Sequence, residues 1–279
     1  MFKTVGIVAR YDKVQALRLA EDLAEYLVKR GVEVFFEDTL KEKVKTQGKM
    51  IPLKNMKTDF IITIGGDGTI LRTCINIPKP EPPILAINMG VRGFLTEVDP
   101  KDGCSAVDKV LKGDFTIEKC AKLATFTEGE EIPDALNDVV VSGGKPSKIL
   151  YMQIYKDEQP ILKCEADGLI ISTQTGSTGY SLSAGGPVID PEINAIVLTP
   201  ICALTIFRSM VFPANSKIRI ESIRPKDMVV TVDGNYRHNS KVENPTVTVT
   251  CSKNVTSFIK FKKDFYHRLQ SRLLFTGTG

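Results

Sequence analysis

The stretch DFIITIGGDGTILR, residues 59–72, is the one on which the fold turns. Residues 59–64 form an almost unbroken apolar run, the pattern of a strand buried on both faces of a parallel sheet. The run ends on Gly65, Gly66 and Gly68 enclosing a single acid, Asp67, before Thr69 to Arg72 open a helical pattern. Glycines without a Cβ let backbone N–H groups approach an anion, and the N-terminus of the following helix adds partial positive charge. The arrangement predicts a phosphate-binding turn on Gly65, Gly66, Gly68 and Thr69, with Arg72 beside it. It lies at a strand's carboxyl end, where doubly wound sheets hold their ligands. It is neither of the common phosphate fingerprints, since no Lys-Ser/Thr pair follows and the spacing is not G-x-G-x-x-G. For the bare motif a glycine-rich turn with Asp67 capping the helix is the better explanation, and it is the context that shifts the weight.

The flanking sequence supplies that context. TVGIVAR (4–10) reads as a strand, Asp12 as a helix N-cap, and VQALRLAEDLAEYLVKRG (14–31) as an amphipathic helix with apolar residues at helical spacing. VEVFFED (32–38) and PILAIN (83–88) read as further strands, so residues 1–100 are expected to form a doubly wound α/β domain. From about residue 115 the rhythm changes to β-branched runs with period two, cut by turn signals at KDEQ (156–159) and DGN (233–235). Residues 101–261 are therefore expected to form an antiparallel all-β domain. The final segment, 262–279, returns to helical spacing through Phe265, Leu269 and Leu273 and is expected to pack back on the first domain.

Composition narrows the function. The 279 residues are 42% hydrophobic and 25% charged, ordinary for a globular chain. A net charge of +4 from 37 basic and 33 acidic residues makes no basic stripe, which argues against nucleic acid as a partner. None of the six cysteines forms a C-x-x-C pair, and with only His238 and His267 available no structural zinc site is expected. Buried free thiols in a reducing compartment are the simpler reading. No run has the length of a membrane span and the N-terminus lacks signal-peptide features, so no membrane partner and a cytoplasmic location are expected.

A second unusual segment is STQTGSTGYSLSAGGPV, residues 172–188, dense in hydroxyls and glycine and without one charged side chain. Such a loop can hydrogen-bond a polyhydroxylated, phosphorylated ligand from both backbone and side chains. Asn137–Asp138, set against the apolar strand DVVVSG, is a further polar pair, although such a pair alone is more often a turn.

Together these segments resemble the NAD kinase family. GGDGT at 65–69 is similar to its signature, and NMGVRGFLTEV at 88–98 to its N-x-G-x-x-G-F-L segment. LNDVVV at 136–141 resembles its Leu-Asn-Glu strand, and DGLIISTQTGSTGYSLSAGGPVIDP at 167–191 follows its longest motif almost residue for residue. LTPICALTIFRSMVFP and VTVDGN follow in the same order, so the resemblance covers roughly residues 2–275. The combination is far more specific than GGDGT alone, which diacylglycerol, sphingosine and phosphofructose kinases also carry. The chain departs from the family at Asp138 (usually Glu), Gln174 (usually Pro), Gly179 (often Ala) and Ala203–Leu204 (often Pro-His).

The resemblance implies phosphorylation of the 2′-hydroxyl of the adenosine ribose of NAD to give NADP, with ATP, another nucleotide or polyphosphate as donor and Mg²⁺ or another divalent cation. Asp67 is the candidate general base, because a sugar hydroxyl needs a carboxylate to take its proton. The resemblance assigns Asn137 and Asp138 to the adenosine, Asp167 to the nicotinamide end, and Thr178, Gly179, Tyr180, Ser181 and Ser183 to the adenine and ribose pocket. Asp67, Gly68, Arg72, Lys148 and Asn235 complete the dinucleotide contacts it implies; for Lys148 a solvated surface lysine is an equal alternative. A homodimer or homotetramer is implied as well. Two rivals share part of the pattern: a lipid or sugar kinase with only GGDGT, and a non-catalytic NADP-sensing module.

Overall fold

A computed structural model describes residues 2–45, 48–90, 93–144, 149–205, 207–224, 227–240, 242–262 and 264–274. Contacts divide the chain into one unit of residues 1–120 and 256–279 and a second unit of residues 121–255.

The first unit is built on five parallel strands, β1 (Thr4–Ala9), β2 (Glu33–Glu37), β3 (Lys49–Ile51), β4 (Phe60–Gly65) and β5 (Ile84–Asn88), ordered β5-β4-β1-β2-β3. The three main helices are α1 (Val14–Val28), α2 (Asp67–Asn76) and α3 (Gly103–Lys112). Strand periodicity decides which residues face which layer. Val5, Ile7 and Ala9 of β1 and Phe60, Ile62 and Ile64 of β4 share a core with Ala20, Leu23 and Leu27 of α1 and Val107 and Val110 of α3. On the other face a Cβ at Gly6 would lie 2.5 Å from Met56 Sδ, so glycine is what allows that layer to close. Because α3 shares this core, residues 103–112 belong to the first unit, beyond the boundary at residue 100 that the sequence suggests.

Strand order carries the functional consequence. From β1 the chain moves outward to β2 and β3, then crosses to the other side of β1 for β4 and β5. The carboxyl ends of β1 and β4 therefore flank the point where winding reverses, the place where open α/β sheets leave a crevice. Asp12 does not cap α1 as the sequence suggests. Lys13 is the N-cap residue and no side chain caps the helix, while Asp12 pairs with Arg10.

The second unit is β-rich, with a strand β6 (Thr116–Thr127) entering it from the first. It continues through β7 (Glu130–Ala135), β8 (Asp138–Gly143), β9 (Leu150–Lys156), β10 (Gln159–Ala166) and β11 (Gly168–Thr173). After the short helix α4 (Tyr180–Ser183) come β12 (Ala195–Ile201), β13 (Met210–Pro213), β14 (Ile218–Arg224), β15 (Met228–Val232), β16 (Tyr236–Asn239) and β17 (Thr246–Lys260). One antiparallel sheet runs β13-β12-β11-β8-β15-β16, and β10-β9-β14-β17 form another antiparallel run. Both hairpin tips legible in the sequence are turns with positive φ, Asp157–Glu158 at 49° and 65° and Asp233–Gly234 at 48° and 66°. The expected α/β unit followed by an antiparallel all-β unit is the observed architecture. The last residues of β17 and the short helix α5 (Phe265–Arg268) belong to the first unit.

The cysteines are all free. Cys74, Cys120 and Cys164 are buried as expected and Cys104 is half-buried, but Cys202, just past the end of β12, and Cys251, within β17, are exposed. Among the described residues no helix is long and apolar enough to cross a membrane.

Candidate active site

In the first unit the sequence brings Asp67 to the switch point as the first residue of α2. Its carboxylate does not cap its own helix. It accepts two consecutive backbone N–H groups from the loop after β5, Phe94 at 2.8 Å and Leu95 at 3.0 Å. Two such donors fix its orientation. The loop is itself braced. Asn88 Oδ1 accepts the N–H of Gly90 at 3.0 Å, and Lys13 Nζ donates to the Met89 carbonyl at 2.8 Å. A Cβ at Gly93 would lie 2.5 Å from Thr96 Oγ1, so this glycine permits the tight fold of the loop.

The three motif glycines differ in role. A Cβ on Gly65 would lie 2.2 Å from Thr69 Oγ1, so Gly65 is required by packing. Gly66 and Gly68 face open space, with nothing within 4 Å of where a Cβ would stand. Both line a cavity of about 280 Å³ together with Arg10, Tyr11, Asp12, Thr69 and Arg72. No side chain caps α2 at Gly66, so the positive end of the helix meets the cavity through bare backbone. From the sequence Asp12 is only a helix N-cap, and Arg10 and Tyr11 are assigned no role. Their signal is positional: they follow β1, the other strand at the switch point.

Arg72 lines the same cavity, but its guanidinium is engaged. It forms a bidentate pair with Glu37, with Nη2 at 2.7 Å from Oε2, and Glu37 is only 2% exposed. The Glu37 hydrogen bond raises the Arg72 pKa further, so the charge is permanent. Arg72 is thus a charged wall of the cavity, held in place by Glu37.

In the second unit Asn137 and Asp138 begin β8, and their backbone is held by Asp233. That carboxylate accepts N–H from Leu136 at 2.8 Å, Asn137 at 2.7 Å and Asp138 at 3.0 Å. Asp233 donates its own N–H to the Asp138 carbonyl at 3.0 Å. Asp138 is buried, and burial, with Asp233 adding like charge, pushes its carboxyl up to about 7. Burial pushes Asp233 up as well, opposed by its three N–H donors and by Lys122. The three donors favour the charged form of Asp233 and partly offset its burial.

The hydroxyl segment packs against this strand start. Thr173 Oγ1 donates to the Leu136 carbonyl at 2.7 Å and accepts the N–H of Gly176 at 2.9 Å. A Cβ on Gly176 would lie 1.9 Å from the Asn137 carbonyl oxygen, so only glycine fits. Ser177 bridges Gln174 and Ile189, and Ser181 pairs with Thr199 at 2.8 Å. Gly179 lies close by, its Cβ position 3.5 Å from Asn137 Nδ2 and 3.8 Å from Asp138 Oδ2. These contacts brace the segment within its own unit.

The remaining predicted residues divide by exposure. Tyr180 and Ser183 are exposed, Thr178 is half-buried with its hydroxyl on the Thr175 carbonyl, and Ser181 is fully buried. Asp167 is exposed at the start of β11, its N–H bonded to the Ile201 carbonyl at 3.0 Å. Asn235 is exposed and closes its own turn, donating Nδ2 to the Asp233 carbonyl at 2.7 Å. Lys148 lies outside the described residues.

A doubly wound sheet whose switch point carries a bare-glycine cradle and a doubly held carboxylate is the construction of a nucleotide-dependent phosphotransferase. Comparison with known proteins agrees. The ATP-NAD kinase N-terminal domain matches residues 5–115 and the ATP-NAD kinase C-terminal domain matches residues 136–261. Over 275 residues the chain is 40% identical to an NAD kinase of Methanothermobacter thermautotrophicus, covering 97% of this chain and 96% of that protein. It is 40% identical over 273 residues to an NAD kinase of Thermococcus kodakarensis, covering 96% and 98% respectively. An NAD kinase from Archaeoglobus fulgidus solved with ATP superposes at a TM-score of 0.80, with 27% identity over 96% of this chain and 99% of that one. A yeast NADH kinase solved with NADH shares the fold, with a TM-score of 0.87 at 24% identity over 100% of this chain and 89% of that one. The chain belongs to the ATP-NAD kinase family and is a kinase.

Proposed function

We propose that this kinase transfers a phosphoryl group from ATP to the 2′-hydroxyl of the adenosine ribose of NAD, giving NADP, with Asp67 as general base. The supporting observation is the Asp67 carboxylate, held by the N–H groups of Phe94 and Leu95 and set in the chain between two glycines that line an open cavity. In the reaction the ribose oxygen bonds to the γ-phosphorus as the bond from phosphorus to the leaving ADP oxygen breaks. Asp67 takes the hydroxyl proton, and the bare N–H groups at Gly66 and Gly68 with the end of α2 stabilise charge on the donor phosphates.

The divalent cation is read as part of the donor complex. Among the described residues no three His, Cys, Asp or Glu side chains converge on one point. A nucleotide-bound Mg²⁺ can be held largely by phosphates and water, and it would supply charge neutralisation. The second unit is assigned the dinucleotide: Asn137 and Asp138 the adenosine, Asp167 the nicotinamide carboxamide, and Thr178 to Ser183 the adenine and ribose. Ser181 contributes through its bond to Thr199, and Arg72 through its fixed charge. A cytoplasmic homodimer or homotetramer is part of the same reading, supported by the family alone.

The test is direct. Purified protein is incubated with NAD, Mg²⁺ and either ATP or polyphosphate, and NADP is measured. NADP formation with at least one donor is expected. Phosphorylation of a lipid or of fructose phosphate in place of NAD would contradict the reading. Sedimentation equilibrium tests the assembly, and a fully active monomer would remove the oligomer from it.

A further inference from the structure

We infer that residues 260–262 and 264–268 of the C-terminal segment are a positioning element for Asp67, acting through residues 94–97. The inference rests on the reading of Asp67 as the base. Asp67 is oriented by two consecutive N–H groups, and both reach one carboxylate only while the backbone at Phe94–Leu95 keeps its direction. That backbone is held from a part of the chain more than 160 residues away in sequence.

Phe265 packs edge-on against Phe94, with ring centroids 5.4 Å apart at 88°. Arg268 Nη1 donates to the Thr96 carbonyl at 3.2 Å and lies 3.5 Å from Glu97 Oε2, while Nη2 lies 2.7 Å from Asp264 Oδ1. Glu97, whose side chain is 2% exposed, also accepts the N–H of Phe261 at 2.9 Å and meets Lys260 Nζ at 3.2 Å. Phe94, Thr96 and Glu97 are thus each gripped by the C-terminal segment, on either side of the Leu95 N–H that faces Asp67. The opposite end of the loop is fixed separately, by Asn88 and Lys13.

A burial role alone would not need this arrangement. Arg268 is 7% exposed; it donates one hydrogen bond to a main-chain carbonyl and pairs by charge with the Glu97 and Asp264 carboxylates, a spread of contacts that its broad guanidinium spans and a lysine's single point charge does not. Loosening this grip lets the N–H pair swing away from Asp67, and misplacements on the scale of 1 Å cost up to about a hundredfold in rate.

The experiment is a double-mutant cycle with Asp67→Asn, using Arg268→Met, or Phe265→Leu if the first variant fails a folding check by circular dichroism and thermal melting. In the wild-type background kcat is expected to fall about tenfold to a hundredfold with KM for NAD within about twofold. In the Asp67→Asn background the same substitution is expected to change kcat by less than about twofold, because the group being positioned is gone. Arg268→Lys is expected to recover only part of the loss. Equal fold-losses in both backgrounds, or a wild-type kcat in the folded variant, overturn the inference. Near-normal turnover of Asp67→Asn alone would instead sink the underlying reading of the base, and the two failures are separate in the data.

Discussion

The carboxylate of Asp233 accepts the backbone N–H of Asn137 at 2.7 Å, one of three consecutive amides that it collects. A residue in a tight turn between β15 and β16 thereby sets the direction in which β8 starts, and with it the Asn137–Asp138 pair. Those amides favour the charged form of Asp233 against its burial, while burial and the nearby Asp233 charge push the neighbouring Asp138 up to about 7.

This pair makes stability depend on pH. The folded-state pKa of Asp138, about 7, stands above its unfolded value of roughly 3.9. Its contribution to stability is therefore full below the unfolded value and is lost as pH rises through about 7. Urea denaturation of wild type and Asp138→Asn between pH 5 and 8 should show the wild type losing stability relative to the variant as pH rises. Parallel pH curves for the two proteins would rule out a protonated Asp138.

The two roles within GGDG separate by alanine substitution. Gly66 is extended (φ −102°, ψ −171°), with open space where a Cβ would stand, so Gly66→Ala should leave unfolding free energy within about 0.5 kcal/mol of wild type. Its methyl group enters the cavity lined by Gly66 and Gly68, and KM for ATP should rise about tenfold. Gly65→Ala meets the Thr69 side chain and should instead destabilise by about 1–3 kcal/mol. A reversal of these two phenotypes would refute the division of labour.

Asp167 is exposed, and its folding contacts are those of its backbone. Asp167→Ala should therefore melt with the wild type while binding NAD about tenfold to a hundredfold more weakly, the loss expected for one charge-assisted hydrogen bond. Calorimetry showing unchanged NAD affinity would remove the residue from the dinucleotide site.

The frame of the fold was legible because it rests on local periodicity. The β4 run, the α1 stripe and the hairpin tips at 157–158 and 233–234 each declare themselves within a few residues. The polar contacts that tune the site were not legible, because their partners lie far apart in the chain. Glu37 immobilises Arg72 from 35 residues away, Asp233 reaches Asn137 across 96, and Arg268 reaches Thr96 across 172. Hydroxyl density is ambiguous for a related reason. Composition cannot tell a hydroxyl that faces a ligand from one such as Ser181 or Thr173, whose partner is the protein's own interior.

The central claim is that Asp67 moves the proton of the acceptor hydroxyl, and its most direct test is Asp67→Asn in a steady-state assay of NADP formation. The amide keeps the size of the side chain but can neither take a proton nor accept both the Phe94 and Leu95 N–H groups. The expected result is a fall in kcat of about two to four orders of magnitude, with NAD affinity by calorimetry within a few-fold of wild type. Turnover close to wild type in the folded variant would contradict the account.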